Sequence, residues 1–240
     1  MAGTAEPAAN YRSDQPFFVK YSIFLALLIL FGFGQFAARG FVNLAQVPVW
    51  LHLHAALMVV WLALFVTQNR LAAAGNMALH RKLGWISTYL VVALVGLACF
   101  SGIMAIKLHT VPSFYTAPYF LALTQVGAVV FGGMVFAAIT RRKETDYHRR
   151  LMFGALIGIT HPALGRILPM PLMIGWSGWV VLAIQLALVG IIARHDRRVL
   201  GRVHPATATA GAIIAMTHVL VELAGINPHI GRLAASIAAG

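Results

Sequence analysis

Seven apolar runs, each close to the roughly 20 residues a helix needs to cross a hydrocarbon core, occupy nearly the whole chain. They cover residues 17–38, 50–69, 83–106, 117–140, 151–168, 177–193 and 205–224. A bilayer offers no water to satisfy a peptide group, so runs of this length and composition have to be helices. A soluble domain is excluded on the same grounds. Of the 240 residues 60% are hydrophobic and 10% charged, too few charges to coat a globular surface. The fold class that follows is all-α: a polytopic transmembrane bundle of about seven helices, forming one domain over 17–224. Residues 1–16, polar and rich in Ala and Pro, read as a disordered cytoplasmic tail, and 225–240 as a short, weakly amphipathic C-terminal tail. The first run is too long for the apolar core of a signal peptide and has no small-x-small cleavage site before Arg39, so it counts as a span.

The formal charge of +12 would suit a nucleic-acid binder, but the positions of the charges exclude that reading. Twelve of the 18 Lys and Arg residues fall in 70–83, 141–150 and 194–204, each stretch lying between two apolar runs. Short basic loops mark the cytoplasmic side. With Arg12 and Lys20 the inner side holds fourteen basic residues, against Arg39, Lys107, Arg166 and Arg232 outside, which predicts an N-in, C-out topology. Anionic lipid headgroups are the expected neighbours of the loops. Cys99 is the only cysteine, so no intramolecular disulfide and no thiolate metal cluster can form.

Each basic loop is followed by a histidine that opens the next span: His80-Arg81-Lys82-Leu83, His148-Arg149-Arg150-Leu151, and His204-Pro205. The shared H-R-[KR]-L reads as an internal repeat of three hairpins, which requires the three histidines to lie at one membrane depth. Ionisable groups within the spans are costly and therefore informative. His54 begins a stripe with Met58, Trp61, Phe65 and Gln68, whereas His52, two positions away, points elsewhere and reads as interfacial. The fifth span carries His161-Pro162 with Arg166 a turn later, and the seventh carries His218 and Glu222 at i, i+4. His204 and His218 are fourteen residues apart, on nearly one face and about 21 Å apart in a helix, the spacing of axial ligands for two stacked haems. His148 and His161, thirteen apart, are a second candidate pair, less well aligned. Gly154, Gly158 and Gly211 stand close enough to admit a flat macrocycle, or simply a close helix. His109, His195 and His229 read as ordinary interfacial histidines.

The run His54-Ala55-Ala56-Leu57-Met58, Trp61, Phe65 and Gln68, followed by His80-Arg81-Lys82-Leu83-Gly84 and His148-Arg149-Arg150-Leu151-Met152, resembles a group of bacterial multi-helix inner-membrane proteins. That resemblance covers residues 50–205 and implies location in the bacterial cytoplasmic membrane. More distantly, the second span is similar to the opening helix of the ascorbate-dependent transmembrane b-type cytochromes, which hold two haems between four histidines on consecutive helices. That likeness implies haem b, with His54 and His80 on matching positions. The fourth span has no histidine and offers only Gln125.

Three functions are open. In the first, a b-type cytochrome exchanges electrons with a quinone or a membrane redox partner, its ligands drawn from His54, His80, His148, His161, His204 and His218. In the second, a seven-helix hydrolase, broadly similar to the zinc-containing membrane receptors and ceramidases, holds zinc or iron with His54, His161, His218 and Glu222. In the third, a non-enzymatic subunit or transporter holds no cofactor. No phosphate-binding loop, nucleophile elbow or dinucleotide fingerprint is present.

Overall fold

The computed structural model describes residues 8–240, and among these the chain is helical throughout, with nine α-helices and no strand. The helices are α1 (Ala8–Ala38), α2 (Val49–Ala73), α3 (Met77–Lys107), α4 (Ala117–Thr140), α5 (Thr145–Gly158), α6 (His161–Ile167), α7 (Ser177–Leu200), α8 (Pro205–Gly225) and α9 (Pro228–Ala239). Six of them, α1 to α4, α7 and α8, are long and apolar enough to cross a bilayer. The protein is a multi-pass integral membrane protein.

The fifth expected span, 151–168, is not one continuous helix. It breaks at Ile159 and Thr160 into α5 and α6, and His161-Pro162 opens the second piece. Together these pieces still run from one end of the bundle to the other: Tyr147 meets His204 at the basic end, and the Arg166 carbonyl accepts from Gln35 of α1 at the opposite end. This segment is the axis of the fold. Leu151 and residues 153–157 are all buried, an all-round burial that only a helix enclosed by other helices shows. Phe153, fully buried, packs on Phe18 and Tyr21 of α1 and Phe65 of α2, with ring centroids 5.0, 5.8 and 5.2 Å away. Gly154 lets α8 come close, since a Cβ there would lie 2.5 Å from that of Ala210.

Both expected tails differ from the reading of the sequence. Residues 1–7 lie outside the described residues, but 8–16 are the first turns of α1, held because Asp14 is buried against α5 and α7. At the other end, α9 is an amphipathic helix. Ile230, Ala234, Ile237 and Ala238 recur at helical spacing and pack on Ile106 and Leu121, while Arg232, Leu233 and Ser236 face outward.

The three basic hairpins do meet at one end. The rings of His80 and His148 lie 6.5 Å apart, and Tyr147, next in the chain, lies 4.8 Å from His204. The amino end of α1 joins them through Asp14, whereas α9 sits against the far ends of α3 and α4. A reporter inserted at 141–144 is therefore expected to read cytoplasmic, and one fused to Gly240 periplasmic. A cytoplasmic signal at Gly240 would mean that the chain crosses an even number of times.

Candidate functional site

At the basic end, His80 and His148 are fixed by one device used twice. Each sits in the first turn of a helix that follows a tight basic loop, so its ring folds back onto the helix before. The Nδ1–H of His80 donates to the Gln68 carbonyl of α2 at 3.3 Å, and that of His148 donates to the Ala138 carbonyl of α4 at 2.8 Å. A carbonyl can only accept, so both rings carry a proton on Nδ1, and in the neutral ring Nε2 is then the lone pair. The rings stand nearly perpendicular, at 83°. Gln68 Oε1 is buried with no hydrogen-bond partner among the described residues, and Gly84, one turn beyond His80, leaves ordinary contact distance to the Gln68 amide.

Beside this pair lies an ion network that the sequence reading missed. Arg149 and Arg150 look like loop charges in H-R-R-L, yet both are buried. Arg150 donates Nε and Nη2 to Asp196 Oδ1 at 2.9 and 2.6 Å, and Nη1 to Asp146 at 3.1 Å. Arg149 bonds Asp14 and Asp146, and lies over the Phe18 ring at 3.9 Å. His195 is not a plain interfacial residue: it bonds Asp14 and stacks on Phe17. The second carboxylate oxygen of Asp196 accepts from the Thr207 hydroxyl at 2.6 Å and the His204 amide at 3.1 Å. The readable signal was the scarcity of acids. The chain has six, and three of them lie in this network.

The opposite half holds the other polar cluster, built around the break in the central helix. Ending α5 at Gly158 frees backbone carbonyls inside a bilayer, where water cannot reach them. Gln185 of α7, almost fully buried, supplies the donor: its Nε2 bonds the carbonyls of Ile157 and Gly158, both at 2.9 Å. Its Oε1 then accepts from His218 Nε2–H at 2.9 Å. His161 lies beside His218 with ring centroids 5.4 Å apart, and its buried Nε2 has no partner among the described residues. One turn outward, Glu222 accepts from the Tyr119 hydroxyl at 3.3 Å, in space that exists because residue 178 is glycine. In the adjoining loop, burial pushes the Tyr115 hydroxyl up to about 12, with Arg166 acting in the opposite direction.

The sequence candidates thus sort into cross-helix pairs, not pairs along one helix. His204 is used by its own helix: its Nδ1 accepts from the Ala206 amide and caps α8. Burial, with Arg150 next in weight, holds the His204 imidazole below its usual range. His148 and His161 are separated by the helix break. Arg166 does not close on Glu222 but donates to the Pro162 carbonyl at 2.8 Å and lies over Phe33. His54 joins neither pair by a ring contact or hydrogen bond among the described residues, and its buried Nδ1 has no partner there. The expected metal set of His54, His161, His218 and Glu222 does not converge: among the described residues no three His, Cys, Asp or Glu side chains are placed to hold one ion. Gly154 serves helix packing, and a Cβ at Gly211 would meet Val189 at ordinary contact distance.

The inner pair is spaced much as two imidazoles on one metal would be. Two imidazoles bound to one iron, each through a nitrogen about 2.0 Å away, have ring centroids about 6 Å apart, close to that of His80 and His148. Their Nδ1–H bonds to backbone carbonyls are the outer-sphere contacts that ligating histidines use. The outer pair fits less well, being closer together and having the His218 Nε2 committed to Gln185. No protein-family model, curated protein or solved structure matches the chain.

Proposed function

We propose that the protein is a b-type cytochrome of the bacterial cytoplasmic membrane, with His80 and His148 as the axial ligands of one haem b at the basic end. The observation that carries this reading is the matched pair of Nδ1–H bonds to the Gln68 and Ala138 carbonyls, which sets both Nε2 atoms free at a ligand-like ring separation. When bound, the haem supplies one-electron exchange with a quinone or a membrane redox partner. The chain's own contribution is to fix both tautomers and to hold the rings on two different hairpins. The network of buried Arg149, Arg150, Asp14 and Asp196 with partly exposed Asp146 keeps the first turn of α5, and therefore His148, in register.

Reduced and oxidised visible spectra of protein purified from haem-replete cells test the reading. A low-spin bis-imidazole spectrum is expected, lost in His80→Ala and in His148→Ala and retained in His218→Ala. Wild-type protein free of haem would leave a membrane subunit or transporter without a cofactor. Loss of the spectrum in His218→Ala but not in His80→Ala would move the ligands to the outer cluster.

A further inference from the structure

A groove of about 220 Å³ opens between α4, α5 and α8, lined by Val130, Gly133, Met134, Ala137, Leu151 and Ile213. Every lining residue is apolar. Along α4 the groove runs from Val130 to Ala137, about 10 Å by helix rise, and Arg141 follows Ala137 one turn later. Its end at the basic side is bordered by the loop that joins α4 to α5. There Arg141, Arg142 and Lys143 are all exposed. Arg141 pairs with the exposed Glu144 at 3.1 Å and lies over Tyr147, and Arg142 donates to the Ile139 carbonyl. The other acids of this end are turned inward on Arg149, Arg150 and His195, so Arg142 and Lys143 have no carboxylate partner among the described residues.

We propose that this groove and the loop above it bind one anionic phospholipid, with an acyl chain along α4 and the headgroup phosphate at Arg142 and Lys143. Three features select that occupant. The groove lies on membrane-spanning helices and offers no polar group, so water gains nothing there while a hydrocarbon chain restores lost dispersion contacts. A partner helix, about 10 Å across, is too wide for a cleft of this volume. The cations stand at one end of the groove only, which matches a molecule that is apolar along its length and anionic at its tip.

The test uses full-length protein reconstituted in vesicles of zwitterionic and anionic phospholipid at four to one, with identical acyl chains. Mild detergent extraction and native mass spectrometry then count the lipids that stay bound. One retained lipid is expected, enriched at least fivefold in the anionic species over its share. The pair Arg142→Gln and Lys143→Gln should remove that enrichment. Gly133→Leu should release the lipid with every charge in place; a Cβ at Gly133 meets nothing within 4 Å, so the added side chain has open space to enter. Val130→Phe blocks the other end of the groove and replaces Gly133→Leu should that variant fail to purify. Retention unchanged by the groove variants, or bound lipid that mirrors the vesicle composition, overturns the proposal.

Discussion

Arg150→Met is expected to destabilise the protein by about 3–5 kcal/mol, the usual cost of stranding a buried carboxylate. The side chain of Arg150 is fully buried and binds Asp196, which is also fully buried, through two nitrogens. Methionine fills a similar volume but leaves Asp196 with only the Thr207 hydroxyl and the His204 amide for its charge. The loss should appear as a lower midpoint in denaturant or heat. Lys82→Met, at the matching position of the other H-R-[KR]-L copy, is exposed and should fall within about 0.5 kcal/mol of wild type. Equal effects at the two positions would show that the network contributes nothing beyond surface charge.

Gln185→Leu is the second large effect, expected at about 2–4 kcal/mol, because each buried polar group left without a partner costs about 1–3 kcal/mol. One side chain satisfies the Gly158 carbonyl and the Nε2–H of His218, and adds a third bond to the Ile157 carbonyl, which also accepts from Thr160. Leucine keeps the bulk and removes all three bonds. Thr160→Val should cost less, since the Thr160 hydroxyl donates to the nearby Ile157 carbonyl and accepts only one longer bond, at 3.3 Å, from the Gln185 amide of α7. Thermal unfolding of the two variants side by side checks the order, and a Gln185→Leu protein as stable as Thr160→Val would rule out Gln185 as the cap of the broken helix.

The spans were legible because the bilayer tolerates few alternatives: length, hydropathy and loop charge predicted seven spans, six of which are single long helices, and the shared end of the three hairpins. The break at Ile159 and Thr160 was not, because a hydropathy window registers composition and not direction, and 151–168 is apolar on both sides of the break. His80 and His148 were named as candidates, but their pairing needed the fold, which crosses two hairpins to bring them together. Arg149 and Arg150 were misread for a related reason. Charge counting treats every Lys and Arg at a helix end as solvated, whereas burial here depends on Asp14 and Asp196, 135 and 46 residues away in sequence. His218 stood out correctly as an anomaly in the membrane, yet its partner is a glutamine that no histidine or acid pattern could flag.

The fastening of α1 sets an order for how the protein can be made. Among its anchors, Asp14, Tyr21 and Gln35 bind groups that emerge much later: Arg149 follows Asp14 by 135 residues and His195 by 181. At synthesis rates of roughly 5–20 residues per second, α1 waits on the order of 10–40 s for its last partner. During that wait α1 has none of its final neighbours from α5, α6 or α7, and its aspartate can stay only at the watery surface. α1 is thus among the last helices to be locked: α2 to α5 can already pack on one another, while the last of its buried side-chain bonds close only when α7 arrives.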